Sequence, residues 1–168
     1  MIRSVNINDA EAICDLYNYY IVNTTACFEE APVSLKDMET RIRDISALYP
    51  WLVFEEDSKI IGYAYVNKWK ERSGYRYSVE DSIYIRHSYE GRGIGKKLLA
   101  RLLDEVRKTK THTVIAGITF PNESSIALHE KAGFRKVAHF SEVGFKFGRW
   151  VDIGYWEIPP DEFEKRQI

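Results

Sequence analysis

The sequence predicts one α/β domain over residues 1–168, a sheet of mixed strand direction with helices on both faces. Three observations point there. A length of 168 residues suits a single core rather than two. A hydrophobic fraction of 45% beside 29% charged residues fits a globular chain. Strand-like and helix-like patterns follow one another with no internal repeat, low-complexity tract or Pro/Gly/Ser linker between them.

In chain order, Ile2–Val5 reads as a short strand. Asn8 or Asp9 is the expected cap of a helix whose apolar positions Ile13, Leu16, Tyr17 and Tyr20 recur at helical spacing. Ser34-Leu-Lys-Asp37 has the form of a capping box and opens a second helix through Ile42 and Ile45 to about Leu48. Trp51–Glu56 and Lys59–Trp69 are β-rich runs joined by Asp57-Ser58, which is hairpin chemistry. Arg76–Ile85 is a further strand that becomes apolar at consecutive positions, Ile83-Tyr84-Ile85, as a central buried strand does. From Gly93, residues Leu98, Leu99, Leu102, Leu103 and Val106 form one apolar helical stripe. His112–Thr119 reads as a strand, and Pro121-Asn122 starts a helix that stops at Ala132-Gly133. Phe134–Phe147 and Trp150–Ile158 close the chain as aromatic-rich strands around Gly148.

Composition narrows the function classes. Lys+Arg 24 against Asp+Glu 25 leaves a net charge of −1, so no global field draws the chain to nucleic acid or to an anionic membrane. No apolar run approaches the roughly 18 residues that span a bilayer, and the start MIRSVNINDAE lacks an apolar signal core. The two cysteines, Cys14 and Cys27, form no CxxC pair, and His87, His112 and His139 share no metal-ligand spacing. The expectation is a cytoplasmic protein with no metal, no nucleic-acid partner and no membrane partner.

The chemistry concentrates at Glu90-Gly-Arg-Gly-Ile-Gly-Lys96, between a strand and an amphipathic helix. Glycines at 91, 93 and 95 let the backbone turn sharply and approach a ligand without Cβ atoms in the way. The amides that follow open a helix, lack internal partners and lie at the positive end of its dipole. An anion such as a pyrophosphate is their natural occupant, with Arg92, Lys96 and Lys97 adding charge. A Walker-type loop needs Gly at 90 and Ser or Thr at 97, where Glu90 and Lys97 stand; the dinucleotide fingerprint needs glycine at 96, where Lys96 stands.

This loop, followed by Asn122-Glu-Ser-Ser-Ile-Ala-Leu-His-Glu-Lys-Ala-Gly-Phe134, resembles the acetyl-CoA-binding core of the GCN5-related N-acetyltransferase (GNAT) superfamily. Tyr17–Phe28, Val79-Glu-Asp-Ser-Ile-Tyr-Ile85, Leu128–Phe134 and Gly144–Trp156 resemble, in that order, its phosphinothricin / methionine sulfoximine N-acetyltransferase subgroup. The resemblance covers the whole chain. It implies a mixed, mostly antiparallel sheet of about six to seven strands, splayed at its centre to admit a pantetheine arm, and a homodimer. One departure is Glu90, where the superfamily commonly carries Gln or Arg. Another is His129, which the subgroup shares where many members of the superfamily carry Tyr.

The resemblance assigns the coenzyme to Ile83, Tyr84, Ile85, Gly91, Arg92, Gly93, Ile94, Gly95, Lys96 and Asn122. Lys131 is either a phosphate contact or a solvated lysine. Backbone amides at Tyr84 or Ile85 are the expected stabilisers of the tetrahedral oxyanion. Acetyl transfer to an amine needs a group that takes the amine's proton, and Glu80 is the candidate, either as base or relay or as an anchor for the ammonium. His129 is a candidate acid for the leaving thiolate or a structural histidine. Lys70, Glu71 and Arg72, with Glu80, Asp81 and Ser82, are the implied substrate contacts; Arg72 offers bidentate recognition of a carboxylate. The expected activity is acetyl transfer from acetyl-CoA to a small glutamate- or methionine-like amine: phosphinothricin, methionine sulfoximine or methionine sulfone. The alternatives are another amine (a polyamine, an aminoglycoside or a protein N-terminus) and a non-catalytic acyl-CoA sensor.

Overall fold

The computed structural model describes residues 1–159, so the end of the expected 1–168 domain lies outside them. In chain order the elements are β1 (Ile2–Ser4), α1 (Ala10–Asn23), α2 (Leu35–Ser46), β2 (Trp51–Glu56), β3 (Lys59–Lys68) and β4 (Ser78–Ile85). They continue with α3 (Ile94–Val106), β5 (Thr113–Thr119), α4 (Glu123–Lys131), β6 (Arg135–Lys146) and β7 (Arg149–Glu157). This is the order the sequence predicts, with strand boundaries displaced by at most two residues.

Local chemistry explains most boundaries. Asp9 stands at the cap position of α1, one of the two expected, but its side chain makes no capping bond to that helix. The 3-10 turn at Ile7–Asp9 that leads into α1 is itself capped by Asn6, which accepts the Asn8 N–H at 3.0 Å. The Asp9 carboxylate is buried and completes a capping box with Asn6, accepting from the Asn6 N–H at 2.7 Å and from both Arg3 terminal nitrogens at 2.8 Å. Ser34 caps α2 by accepting the Asp37 N–H, and its hydroxyl donates to the Asp37 carboxylate at 2.7 Å. Asp57 and Ser58 both have positive φ, 49° and 60°, the mirror-image turn that a right-twisted hairpin prefers.

The seven strands run in the order β1-β2-β3-β4-β5-β7-β6, and only β4 and β5 are parallel. Strand alternation sends side chains to two cores. Leu52 and Phe54 join the α3 face, where Leu98, Leu99, Leu102, Leu103 and Val106 are fully buried; Trp51 and Val53 join the face covered by α1 and α2. Among the described residues no helix is long and apolar enough to cross a membrane.

One interruption positions everything else. β4 and β5 pair only at Ser78↔Thr113, Val79↔Val114 and Glu80↔Ile115. Beyond that point β4 stays paired to β3 through Ile85, and β5 stays paired to β7 through Thr119. The sheet therefore opens like a V between Asp81–Ile85 and the stretch 116–119. Ile83, Tyr84 and Ile85 are only half-buried as a result, although their consecutive apolar character suggested a fully buried central strand.

Candidate active site

At the wide end of the V, Gly91 and Gly93 adopt the left-handed backbone, φ 74° and 75°, and Gly93 is the cap of α3. The first helical bond of α3 runs from Lys97 N–H to Gly93 O, which leaves the amides of Ile94, Gly95 and Lys96 without intrahelical acceptors. Nothing lies within 4 Å of a Cβ built at Gly91 or Gly93, so their surroundings are open space. Gly95 has a different reason: a Cβ there meets Leu128 of α4 at 3.3 Å. Glu90 is folded back on its own turn, accepting from the Ser88 N–H at 3.3 Å. Arg92 is turned away as well, bonding Glu56 at 2.9 Å and lying over the Tyr89 ring. The cradle is thus backbone amides with Lys96 at its edge.

The cradle continues into a cleft of about 640 Å3 along the parted strands. Tyr20 of α1 reaches the open edge of β4, donating to Ile85 O at 2.7 Å and accepting the Ile85 N–H at 3.3 Å. Because Arg86 N–H bonds Ile61 O, antiparallel alternation turns the Tyr84 and Ser82 peptides to β3 and those of Ile83 and Ile85 to the gap. Neither amide expected to hold an oxyanion is free: Tyr84 faces β3 and Ile85 is taken by Tyr20. The Ile83 amide faces the opening instead.

At the narrow end, Glu80 and Asp81 point to opposite faces of the sheet. Asp81 is buried on the α4 side, where its Oδ2 meets His129 Nε2 at 2.9 Å and its Oδ1 has no partner. His129 Nδ1 sits 2.7 Å from Ser125 O, and the edge of Phe134 closes over the ring. Burial opposes the imidazolium, but the Asp81 carboxylate and the Ser125 carbonyl together hold the His129 pKa above its ordinary value. Glu80 stands on the other face beside Gly117 and Tyr155. Burial, and next the negative charge of Asp81, raise the Glu80 pKa; Lys70 pulls the other way.

Of the sequence-predicted residues, Asp81, Ser82, Ile83, Tyr84, Ile85 and Gly91 line the cleft. So do Gly93, Ile94, Gly95, Lys96, Asn122, His129 and Lys131. Asn122 also caps α4, accepting from Ser125 N–H at 3.2 Å. Glu80, Arg92, Lys70, Glu71 and Arg72 stand outside the lining; Glu71 pairs with Lys68 at 2.8 Å and Lys70 lies over Trp69. Sequence reasoning missed Tyr20, Thr25, Ala26, Gly117 and Thr119, all of which line the cleft. Only Gly117 carried a signal, as an isolated glycine inside a strand pattern. The wall at Thr25–Ala26 is irregular chain tied from several sides: Tyr17 to Cys27 and Glu29, Arg41 to Glu29, and buried Lys146 to Cys27 O at 2.6 Å. Among the described residues no three His, Cys, Asp or Glu side chains converge as a metal requires.

An amide cradle feeding a parted pair of strands is a receptor for a ligand with an anionic end and a slender arm. A family model described as an acetyltransferase (GNAT) domain matches residues 2–154, and the chain belongs to that family. It is 38% identical, over 96% of its length and 95% of the relative's, to the L-methionine sulfoximine/L-methionine sulfone acetyltransferase of Salmonella typhimurium. It is 33% identical, over 93% of its length and 85% of the relative's, to the phosphinothricin N-acetyltransferase of Streptomyces viridochromogenes. The structure of yncA from Salmonella typhimurium, solved with its cofactor acetyl-CoA, superposes with a TM-score of 0.93. That match has 37% identity and covers 96% of this chain and 94% of the other.

Proposed function

We propose that this protein transfers the acetyl group of acetyl-CoA to the amine of a small glutamate- or methionine-like amino acid, such as phosphinothricin, methionine sulfoximine or methionine sulfone. The observation that carries the reading is the V between β4 and β5, which joins an amide cradle at one end to the Asp81 carboxylate at the other, with Glu80 next to it on the opposite face of the strand. Coenzyme A fits this shape. Its pyrophosphate suits the free amides of Ile94, Gly95 and Lys96, with Lys96 and Lys131 as cations, and its arm suits the β4 edge and Asn122.

Glu80 then receives the proton of the attacking amine, directly or through water. Its raised pKa makes it a better base than an ordinary carboxylate. The Ile83 amide is the donor turned toward the developing oxyanion. The acceptor's carboxylate is assigned to the loop of Lys70, Glu71 and Arg72, which lies close enough to Glu80 for Lys70 to act on its pKa. The resemblance of this chain to relatives named for methionine sulfoximine and phosphinothricin supports the choice of amine.

The functional unit is a homodimer of single domains covering 1–168. The β6–β7 hairpin exposes Phe140, Val143, Phe145, Phe147 and Trp150, each at least half accessible, which is the kind of apolar patch that a second copy covers. The unbridged Cys14 and Cys27 suit a reducing compartment, the cytoplasm.

The test is a thiol-release assay with purified protein, acetyl-CoA and a panel of amines. Release of CoA that depends on methionine sulfoximine, methionine sulfone or phosphinothricin supports the reading. Release only with polyamines, aminoglycosides or peptides reassigns the acceptor, and coenzyme binding without any release identifies a sensor.

A further inference from the structure

The Asp81–His129 contact does more than fill space. Ser125 O can only accept, so the 2.7 Å contact requires a proton on His129 Nδ1. That leaves Nε2 as the sole nitrogen facing Asp81 Oδ2, at 2.9 Å, and a bond there requires a second proton. The pair therefore holds one proton more than a neutral imidazole beside a carboxylate would. His129 cannot present this proton to the cleft directly, because both ring nitrogens are occupied. Asp81 can: it lines the cleft, and its other oxygen, Oδ1, is buried there without a hydrogen-bond partner. A buried carboxylate oxygen left without a partner is costly, which marks a position awaiting a ligand group. Asp81 is also the first residue of β4 past the last β4–β5 pair, at the point where the V closes.

We propose that Asp81 is the acid at the sulfur end of the reaction and that His129 is the positioning residue that keeps it supplied with a proton. The inference rests on the acetyltransferase reading above. In the step it describes, the amine nitrogen has bonded to the thioester carbon and its proton has gone to Glu80. The C–S bond then breaks with its electron pair on sulfur. The proton between Nε2 and Oδ2 passes to that sulfur on the Asp81 carboxyl, which brings it round by rotating about Cβ–Cγ. The pair is left as a carboxylate beside a neutral imidazole with Nδ1–H still on Ser125. Solvent restores its proton and removes the one on Glu80. The neighbouring strand residues thus divide the work, with Glu80 on the amine face and Asp81 on the α4 face. The groups that face the pair are Ser125 of α4, the Phe134 ring and, across the strand, Glu80.

The test uses the full chain as Asp81→Asn, His129→Gln and the double variant, with coenzyme affinity measured by calorimetry beside steady-state rates on methionine sulfoximine. Each single variant is expected to lose at least ~10-fold in kcat and to flatten the alkaline limb of its pH profile, with KM for the amine held within ~3-fold. The double variant is expected to be no worse than the worse single, because the residues act as one unit. A folded Asp81→Asn protein that binds CoA and keeps kcat within ~2-fold of the unsubstituted enzyme overturns the proposal, as does a double variant that multiplies the single losses. Nitrogen NMR of histidine in the unsubstituted protein needs no variant to fold: at pH about 7.5 the His129 Nε2 signal is expected to be protonated, and a bare-nitrogen shift overturns the proposal. If the unsubstituted protein neither binds nor consumes acetyl-CoA, the acetyltransferase reading has failed instead.

Discussion

A Cβ at Gly117 would stand 2.6 Å from Glu80 Oε1, closer than any real contact, and 3.2 Å from the Tyr155 ring. The missing side chain on β5 is what lets the Glu80 carboxylate sit where it does. Gly117→Ala is therefore expected to displace Glu80 and lower kcat at least ~10-fold. Calorimetry with CoA should show little change, since the cradle lies at the other end of the cleft. A fully active Gly117→Ala enzyme would show that the carboxylate position is unimportant.

Glu80→Gln should lower turnover by at least ~10-fold and leave coenzyme affinity nearly intact. Its effect on stability has the opposite sign. Burial raises the Glu80 pKa above the ordinary 4.5, so the folded state holds this proton more tightly than the unfolded chain. Stability is consequently lost as pH rises from 4.5 through the raised value. Thermal melts should find Glu80→Gln more stable than the unsubstituted protein at pH about 7 and equal to it below pH about 4. The same ionisation should set the acid limb of kcat, above the range of an exposed carboxylate.

Gly93→Val should abolish acetyl-CoA binding. Nothing in the protein obstructs a Cβ there, so packing is not the obstacle; the left-handed φ of 75° is, at a cost of roughly 1–2 kcal/mol, and the side chain would project into the cradle. Gly74→Ala, with an ordinary φ and open surroundings, is the matched control and should bind normally. Binding is read by calorimetry and folding by circular dichroism.

Lys146→Met removes the donor that holds Cys27 O and loosens the chain carrying Thr25 and Ala26. The expected result is a loss of about 1–3 kcal/mol in denaturant melts and a several-fold higher amine KM, with coenzyme affinity unchanged. An unchanged KM would separate this segment from the acceptor pocket.

Trp150→Glu places a charge on the exposed aromatic hairpin, where Trp150 is 60% accessible. Sedimentation should find a dimer before the substitution and a monomer after it; a monomer from the start removes the dimer.

The fold was largely legible in the sequence because its signals are local. The α3 stripe, the Ser34 cap and the Asp57-Ser58 turn each depend on neighbours a few residues apart. The glycine cradle was legible for the same reason, since an unpaired helix start is written in consecutive residues. The cap position Asp9 was legible, but the 3-10 turn before it was not, because the reciprocal Asn6–Asp9 caps are completed by Arg3 on another element, which holds the Asp9 carboxylate in place.

What the tertiary structure alone decided is how distant groups meet. Asp81 and His129 are 48 residues apart, and nothing in either neighbourhood announces a shared proton. Arg92 looked like an anion ligand until Glu56, 36 residues away, claimed it. The Ile85 amide looked available until Tyr20, 65 residues away, filled it. Helix and turn propensities are fixed by covalent neighbours, whereas hydrogen-bond occupancy and desolvation depend on which surfaces the folded sheet brings together.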